Sequence, residues 1–320
     1  MSHRVSSAIL LVGGMGTRMQ PLTFATPKPM LKVAGIPFIA HQISYAKAHG
    51  VTRIVVATSY KTEQFLDYLG DGSRFGIEIV HAVEQEPLGT GGAIANAAKE
   101  LNLKDDESIY IFNGDVLSLH KLKEQARFHE ETGADATLHL IEVEDARAFG
   151  CVPINKTGRV LEFLEKMETP KANTINAGCY IFTSGLLNSI PRDQVVSVER
   201  ETFPKLLAEE RNLFGYLDSS YWIDMGTPES MIKASRDLVT RSGKSLVADD
   251  VALGHNSVVD NGSYIESGAF IGADCQISGS IVGAKAIIED GSKIENSYIA
   301  PNSRVKSGSN LSEIIHGFAE

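Results

Sequence analysis

The sequence predicts a mixed, mostly parallel α/β sheet domain followed by a parallel β-helix of hexapeptide repeats. Three observations predict it. Short apolar runs alternate with segments of helical period up to about residue 235. Beyond that point aliphatic residues return at every sixth position. The length, 320 residues, exceeds the usual single-domain range and makes two domains the default.

In the first part, Ile9–Val12, Ile54–Ala57, Ile77–Val83, Ile109–Phe112 and Ala136–Ile141 have the continuous apolar character of buried strands. Between them Ile36–His49, Glu63–Leu69, Gly92–Leu101 and Leu119–Thr132 carry helical periodicity. This alternation implies helices on both faces of the sheet, with ligands outside the carboxyl ends of the strands. A polar stretch over 236–246, containing Ser242-Gly243, reads as a connector and divides expected domains at 1–235 and 247–320. In the second domain Val247, Leu253, Val259, Ile265, Ile271 and Ile277 keep the sixfold spacing. After five-residue steps it resumes at Val282, Ile288 and Ile294, then at Ile299, Val305 and Leu311. Three such hexads close one coil, so about four coils are expected.

Composition narrows the function. The net charge of −10 argues against a nucleic-acid partner. Yet residues 1–62 hold no Asp or Glu, while Arg4, Arg18, Lys28, Lys32, Lys47, Arg53 and Lys61 are cationic. A cationic segment in an acidic chain points to a small phosphorylated substrate. No apolar run reaches membrane-spanning length, and Met1–Ser7 does not read as a signal peptide. Cys151, Cys179 and Cys275 are odd in number and far apart, as expected of buried free thiols in a reducing cytoplasm.

The chemistry concentrates in a few motifs. Ala8-Ile9-Leu10-Leu11-Val12 opens into Gly13-Gly14-Met15-Gly16-Thr17-Arg18-Met19-Gln20-Pro21-Leu22-Thr23, and Thr26-Pro27-Lys28-Pro29 follows. Glycines let backbone amides approach an anion closely, and Arg18 and Lys28 supply full charges against a polyphosphate. The spacing is neither that of a P-loop nor that of a dinucleotide fingerprint. Asp115, at the end of a predicted strand in Asn113-Gly114-Asp115, suits a Mg²⁺ ligand, with a helix N-cap as the lesser alternative. No Ser/His/Asp or Cys/His set emerges, which fits direct attack of one substrate on another.

The G-G-x-G-T-R-x-x-P-L-T and P-K-P pattern resembles the sugar-1-phosphate nucleotidyltransferase (nucleotide-sugar pyrophosphorylase) family. Residues 7–235 are similar to the short bacterial mannose-1-phosphate guanylyltransferases, also through Asp145–Pro153 and Val196–Glu201. The resemblance implies a Rossmann-like nucleotidyltransferase domain and a left-handed β-helix. It implies that GTP and mannose 1-phosphate give GDP-mannose and pyrophosphate, with Mg²⁺ held by Asp115 and by Asp224 of Tyr221–Pro228. Arg18, Lys28 and Asp115 are then the expected catalytic residues. Val12, Gly13, Gly14, Gly16, Thr17, Arg18 and Lys28 would line the nucleotide, with Glu84, Pro87, Gly89 and Thr90 of a second loop. That loop leads into a helix, whose N–H groups are expected to serve a ligand. The sugar phosphate is assigned to Gly114, Gly150, Glu165, Lys166, Asn176 and Gly178, with Asn176-Ala177-Gly178 read as a turn.

A carboxylate at Glu84 suits guanine, whose Watson–Crick edge presents two adjacent donors. Related uridylyltransferases also carry acidic loops, so UTP or dTTP stands as the alternative nucleotide. A degenerate, non-catalytic subunit would lack the motif residues, which are intact here. An acyltransferase β-helix would be longer and richer in histidine than this one, which has His255 alone within the repeats. The β-helix is expected to mediate homo-oligomer contacts, because its open end and flat faces need cover.

Overall fold

The computed structural model describes residues 5–243 and 245–318. Arg4 of the cationic segment, Lys244 of the connector and residues 319–320 of the repeat region lie outside them. The chain forms two compact units. One runs to Met15 and resumes over Ile39–Trp222; the other comprises Gly16–Phe38 and the chain from Ile223 onward.

The first unit is built on seven strands: β1 (Ser7–Leu11), β2 (Arg53–Thr58), β3 (Glu78–Val83), β4 (Ser108–Asn113), β5 (Ala136–Glu142), β6 (Thr174–Thr183) and β7 (Leu213–Leu217). Their order is β7-β5-β6-β4-β1-β2-β3. β6 runs antiparallel to β4 and β5, and the remaining neighbours are parallel. The sheet is therefore mixed and mostly parallel, as predicted. All five predicted strands form, with ends shifted by a residue or two. Ile9, Val55, Ile109, Ile111, Leu138 and Phe182 are buried in one core cluster, which explains why these strands read as unbroken apolar runs.

The four predicted helices form as α1 (Phe38–Ala48), α2 (Thr62–Leu69), α3 (Gly89–Ala98) and α4 (Leu122–Thr132), and two short ones that the pattern did not announce, α5 (Ser184–Ser189) and α6 (Phe203–Ala208), join them. The chain leaves β1 toward β2 on one side and has β4 on the other. Strand order thus reverses at β1, where an open α/β sheet leaves a crevice. One expectation fails. Asn176-Ala177-Gly178 lies inside the ten-residue β6 rather than in a turn. The ladder carries it, with Leu140 opposite Asn176 and Phe112 opposite Cys179, while a register shift near Leu138 absorbs the positive φ of Gly178.

In the second unit, α7 (Pro228–Arg241) takes up the first six residues of the stretch 236–246. Thr227 caps it, with Pro228 at its first position. The repeats then form three parallel ladders of five, four and four strands, the arrangement expected of a left-handed β-helix. Val247, Ile265, Val282 and Ile299 stack in one ladder; Leu253, Ile271, Ile288 and Val305 in the second; Val259, Ile277, Ile294 and Leu311 in the third. The inner anchors are fully buried, whereas Leu253 in the first coil is 50% exposed because nothing stacks beyond it. One corner carries a serine ladder: Ser263, Ser280 and Ser297 hydroxyls accept from the amides of Ser280, Ser297 and Ile314, at 3.1–3.2 Å.

Candidate functional site

In the first unit the carboxyl ends of β1, β4 and β3 deliver Val12–Gly14, Gly114-Asp115 and Glu84. Gly114 donates its amide to Leu11 O at 2.8 Å. A Cβ there would lie 2.4 Å from that oxygen, so no other residue fits without displacing β1. The turn that follows holds Asp115 half-buried at its apex. Gly13 is fixed from the other side, its carbonyl accepting from Ser59 Oγ at 3.0 Å. A Cβ on Gly14 would meet nothing within 4 Å, so the loop is open there.

The expected sugar-phosphate residues converge next to this turn. Gly178 packs on Asn113 and donates its amide N–H to Asn176 Oδ1 at 3.1 Å. Asn176 donates its backbone N–H to Gly150 O at 2.9 Å and its side-chain amide to Tyr180 at 2.8 Å. A Cβ on Gly150 would come 3.4 Å from the Phe163 ring and 3.8 Å from Glu165 Oε1. Gly114, Gly150, Glu165, Asn176 and Gly178 thus form one polar patch, and Phe149 packs edge-on against Trp222 beside it. Lys166 is exposed on the rim of the same segment.

The loop from Glu84 to Thr90 differs from expectation. Glu84 is buried, and burial raises its pKa above the ordinary glutamate range despite a bond from Leu88 N–H to Oε2 at 3.2 Å. Its Oε1 is buried with no hydrogen-bond partner. At the start of α3, however, Gly91 and Gly92 amides point to Val196 O, at 2.8 and 3.4 Å, rather than to a ligand. The glycines serve packing: a Cβ at Gly91 would meet Val196, and one at Gly92 would lie 2.4 Å from Gln194 O. Thr90 is likewise engaged, donating to Glu199 Oε2 at 2.8 Å and accepting Val198 N–H at 2.9 Å. Glu199 and its neighbours sit in a π-helical turn, Val198–Thr202, whose link to Thr90 no local pattern announces.

In the second unit, Gly16 adopts the left-handed conformation at the start of the Thr17–Met19 turn. Thr23 Oγ1 donates to Gly16 O at 2.9 Å, and Lys28 is buried against the same glycine. Asp224 and Arg18 flank Gly226. A Cβ placed there would be 3.2 Å from Asp224 Oδ1 and 3.4 Å from both terminal guanidinium nitrogens of Arg18. The early Gly-rich motif and the late Tyr221–Pro228 motif, some two hundred residues apart in sequence, therefore build one surface that pairs a carboxylate with a fixed cation.

Residues 7–241 match the family model described as nucleotidyl transferase. The chain belongs to the nucleotidyl transferase family. A mannose-1-phosphate guanylyltransferase of Mycobacterium tuberculosis is 43% identical over 310 residues, covering 96% of this chain and 83% of that one. Mannose-1-phosphate guanylyltransferase 1 of Arabidopsis thaliana is 34% identical, covering 97% and 86%. Among solved structures, HddC from Yersinia pseudotuberculosis complexed with GMP-PN has a TM-score of 0.63 at 29% identity, covering 73% of this chain and all of that one. Among the described residues no helix is long and apolar enough to cross a membrane, and all three cysteines are free and buried.

Proposed function

We propose that the protein is a guanylyltransferase that joins GTP to mannose 1-phosphate, giving GDP-mannose and pyrophosphate. The observation that carries this reading is the convergence of Gly114, Gly150, Glu165, Asn176 and Gly178 at the carboxyl end of a sheet whose first strand opens into the Gly-rich loop. Relatives named mannose-1-phosphate guanylyltransferase match nearly the whole chain and favour GTP over UTP or dTTP.

In this reading a phosphate oxygen of mannose 1-phosphate attacks the α-phosphorus of GTP. The bond from that phosphorus to the α,β-bridging oxygen breaks, and pyrophosphate leaves with the electron pair. The attacking phosphate is already ionised at neutral pH, so no general base is required. Arg18 and the amides of Gly13, Gly14 and Gly16 hold the triphosphate; Lys28 and Lys166 offset charge on the reacting groups. Val12 and Thr17 border the nucleotide, and Glu165 and Asn176 bind sugar hydroxyls. Asp115 and Asp224 are the proposed Mg²⁺ ligands. Among the described residues no three His, Cys, Asp or Glu side chains group as a metal cage. Two carboxylates completed by phosphate oxygens are what a magnesium ion ordinarily takes. When bound, that ion neutralises charge developing on the phosphates.

Turnover of the purified chain with Mg²⁺, several sugar 1-phosphates and each of GTP, UTP, dTTP and ATP tests the assignment. GDP-mannose and pyrophosphate are expected from GTP with mannose 1-phosphate; no pyrophosphate from any pair would overturn the enzymatic reading. Lys28→Ala and Asp115→Ala should each lower kcat/KM by at least ~10², the usual loss for a transition-state electrostatic group. The exposed Leu253, Val258, Phe270 and Ile287 of the β-helix favour self-association. A monomer by light scattering at micromolar concentration would refute that part.

A further inference from the structure

We infer that Gln42 is a positioning residue for Asp115, acting by clamping the turn that presents it. The inference rests on the reading of Asp115 as a metal ligand. Gln42 sits on α1, 71 residues before Asn113 in sequence, and is buried. Its Nε2 donates both hydrogens: one to Asn113 O at 2.8 Å, the other to Val116 O at 2.8 Å. These carbonyls bracket Gly114-Asp115. The backbone of the turn is thus pinned at three points, the third being the Gly114 N–H bond to Leu11 O.

The orientation of the amide is fixed by this geometry. Reversed, its oxygen would face two carbonyl oxygens at hydrogen-bond distance, an arrangement of acceptors without a donor. Held as it is, Gln42 leaves its own Oε1 buried with no partner. An orphaned buried acceptor is unfavourable, and native proteins keep few of them without a reason. Here the reason is the pair of bonds on the other end of the amide.

Asp115 therefore depends on a side chain that touches neither substrate nor metal. A half-ångström relaxation of the turn would move the carboxylate away from the ion it is proposed to hold, and such misplacement is costly in rate.

The test compares wild type, Gln42→Met, which keeps the length but removes both donors, and Asp115→Asn. Hydrogen exchange of the metal-free proteins is read over residues 113–118, alongside kcat and the Mg²⁺ concentration for half-maximal rate. Gln42→Met should speed exchange in that segment at least ~10-fold while leaving β2 and the β-helix unchanged. It should lower kcat by at least ~10-fold and raise the Mg²⁺ requirement several-fold. Unchanged exchange in 113–118, or an unchanged kcat and Mg²⁺ requirement, would overturn the inference, even if Tm falls. Asp115→Asn separates the two ideas: if it keeps wild-type turnover and Mg²⁺ dependence, the metal-ligand reading fails first. Should Gln42→Met not fold, Gln42→Asn, too short to reach both carbonyls, is held to the same outcomes.

Discussion

Lys32 Nζ lies 2.8 Å from Glu266 Oε2, joining the cationic N-terminal segment to the second coil of the β-helix. Glu266 is nearly buried there, while Lys32 is half exposed. Nearby, Ala34 N–H donates to Ser235 Oγ on α7 at 3.0 Å, and Gly35 packs on Leu246 and Tyr264. The segment that bears Arg18 and Lys28 is therefore seated on the repeat region and α7, not on a loop of its own.

Removing either partner of this ion pair should destabilise the protein. Because Lys32 reaches water, the effect is about 1 kcal/mol rather than that of a fully buried pair. Lys32→Met and Glu266→Gln, with the double variant, measured by urea denaturation, should show non-additive losses. Strict additivity would mean that the contact contributes nothing.

The first unit should lose stability in mild acid through its histidines. Burial pushes His120 and His129 down to about 4, against weaker upward pulls from Asp218 and Asp135. His120 bonds Gln125 and Ser118 and stacks on His139 at 3.7 Å; His129 bonds Ser108 and Thr137. The folded state thus binds these protons less readily than the unfolded chain. Their stabilisation is complete above pH 6.5 and is lost as pH falls toward 4, by about 3 kcal/mol each at most. Unfolding free energy measured from pH 7 to 4 should fall steeply, and His129→Gln should flatten the slope. An identical slope in the variant would contradict the assignment.

Nucleotide preference should respond to Glu84. Its free Oε1 and raised pKa leave a carboxylate that gains from a donor-rich base edge. Glu84→Gln should lower kcat/KM for GTP by roughly 10–100-fold, the equivalent of one charge-assisted hydrogen bond, and change UTP less. Equal losses with both nucleotides would make Glu84 a structural residue of the loop.

Gly114→Ala should be severe. The new methyl would sit 2.4 Å from Leu11 O and 2.6 Å from Val12 Cγ1, so β1 or the Asp115 turn must move. A loss of several kcal/mol, or of nearly all turnover, is expected; near-normal Tm and activity would show that the contact relaxes.

Much of this was legible before any coordinates. The apolar runs of β1 to β5 and the sixfold spacing report burial directly, since each side chain's environment repeats with its element. The Gly-rich opening after β1 and the place of Asp115 just after a strand were legible because both are local features of the chain. What stayed hidden depends on distant partners. The β6 strand is antiparallel and interrupted by Asn176 and Gly178, so its apolar pattern is broken where it matters most. Gly91 and Gly92 look like ligand-facing glycines until Val196 is known to lie against them. Gln42 gives no signal at all within its helix, because its meaning lies in two carbonyls beyond residue 110.

The serine corner of the β-helix has its own consequence. Each hydroxyl serves the amide one coil further on, from Ser263 to Ser280, Ser297 and finally Ile314. A coil that peels away leaves one serine hydroxyl unpaired at the new end, along with the ladder groups it had bonded, such as the Tyr298 and Ala300 amides when the last coil goes. The stack can fray turn by turn from its tail, and amide protection should climb stepwise from Ile314 back to Ser280 instead of vanishing in a single event.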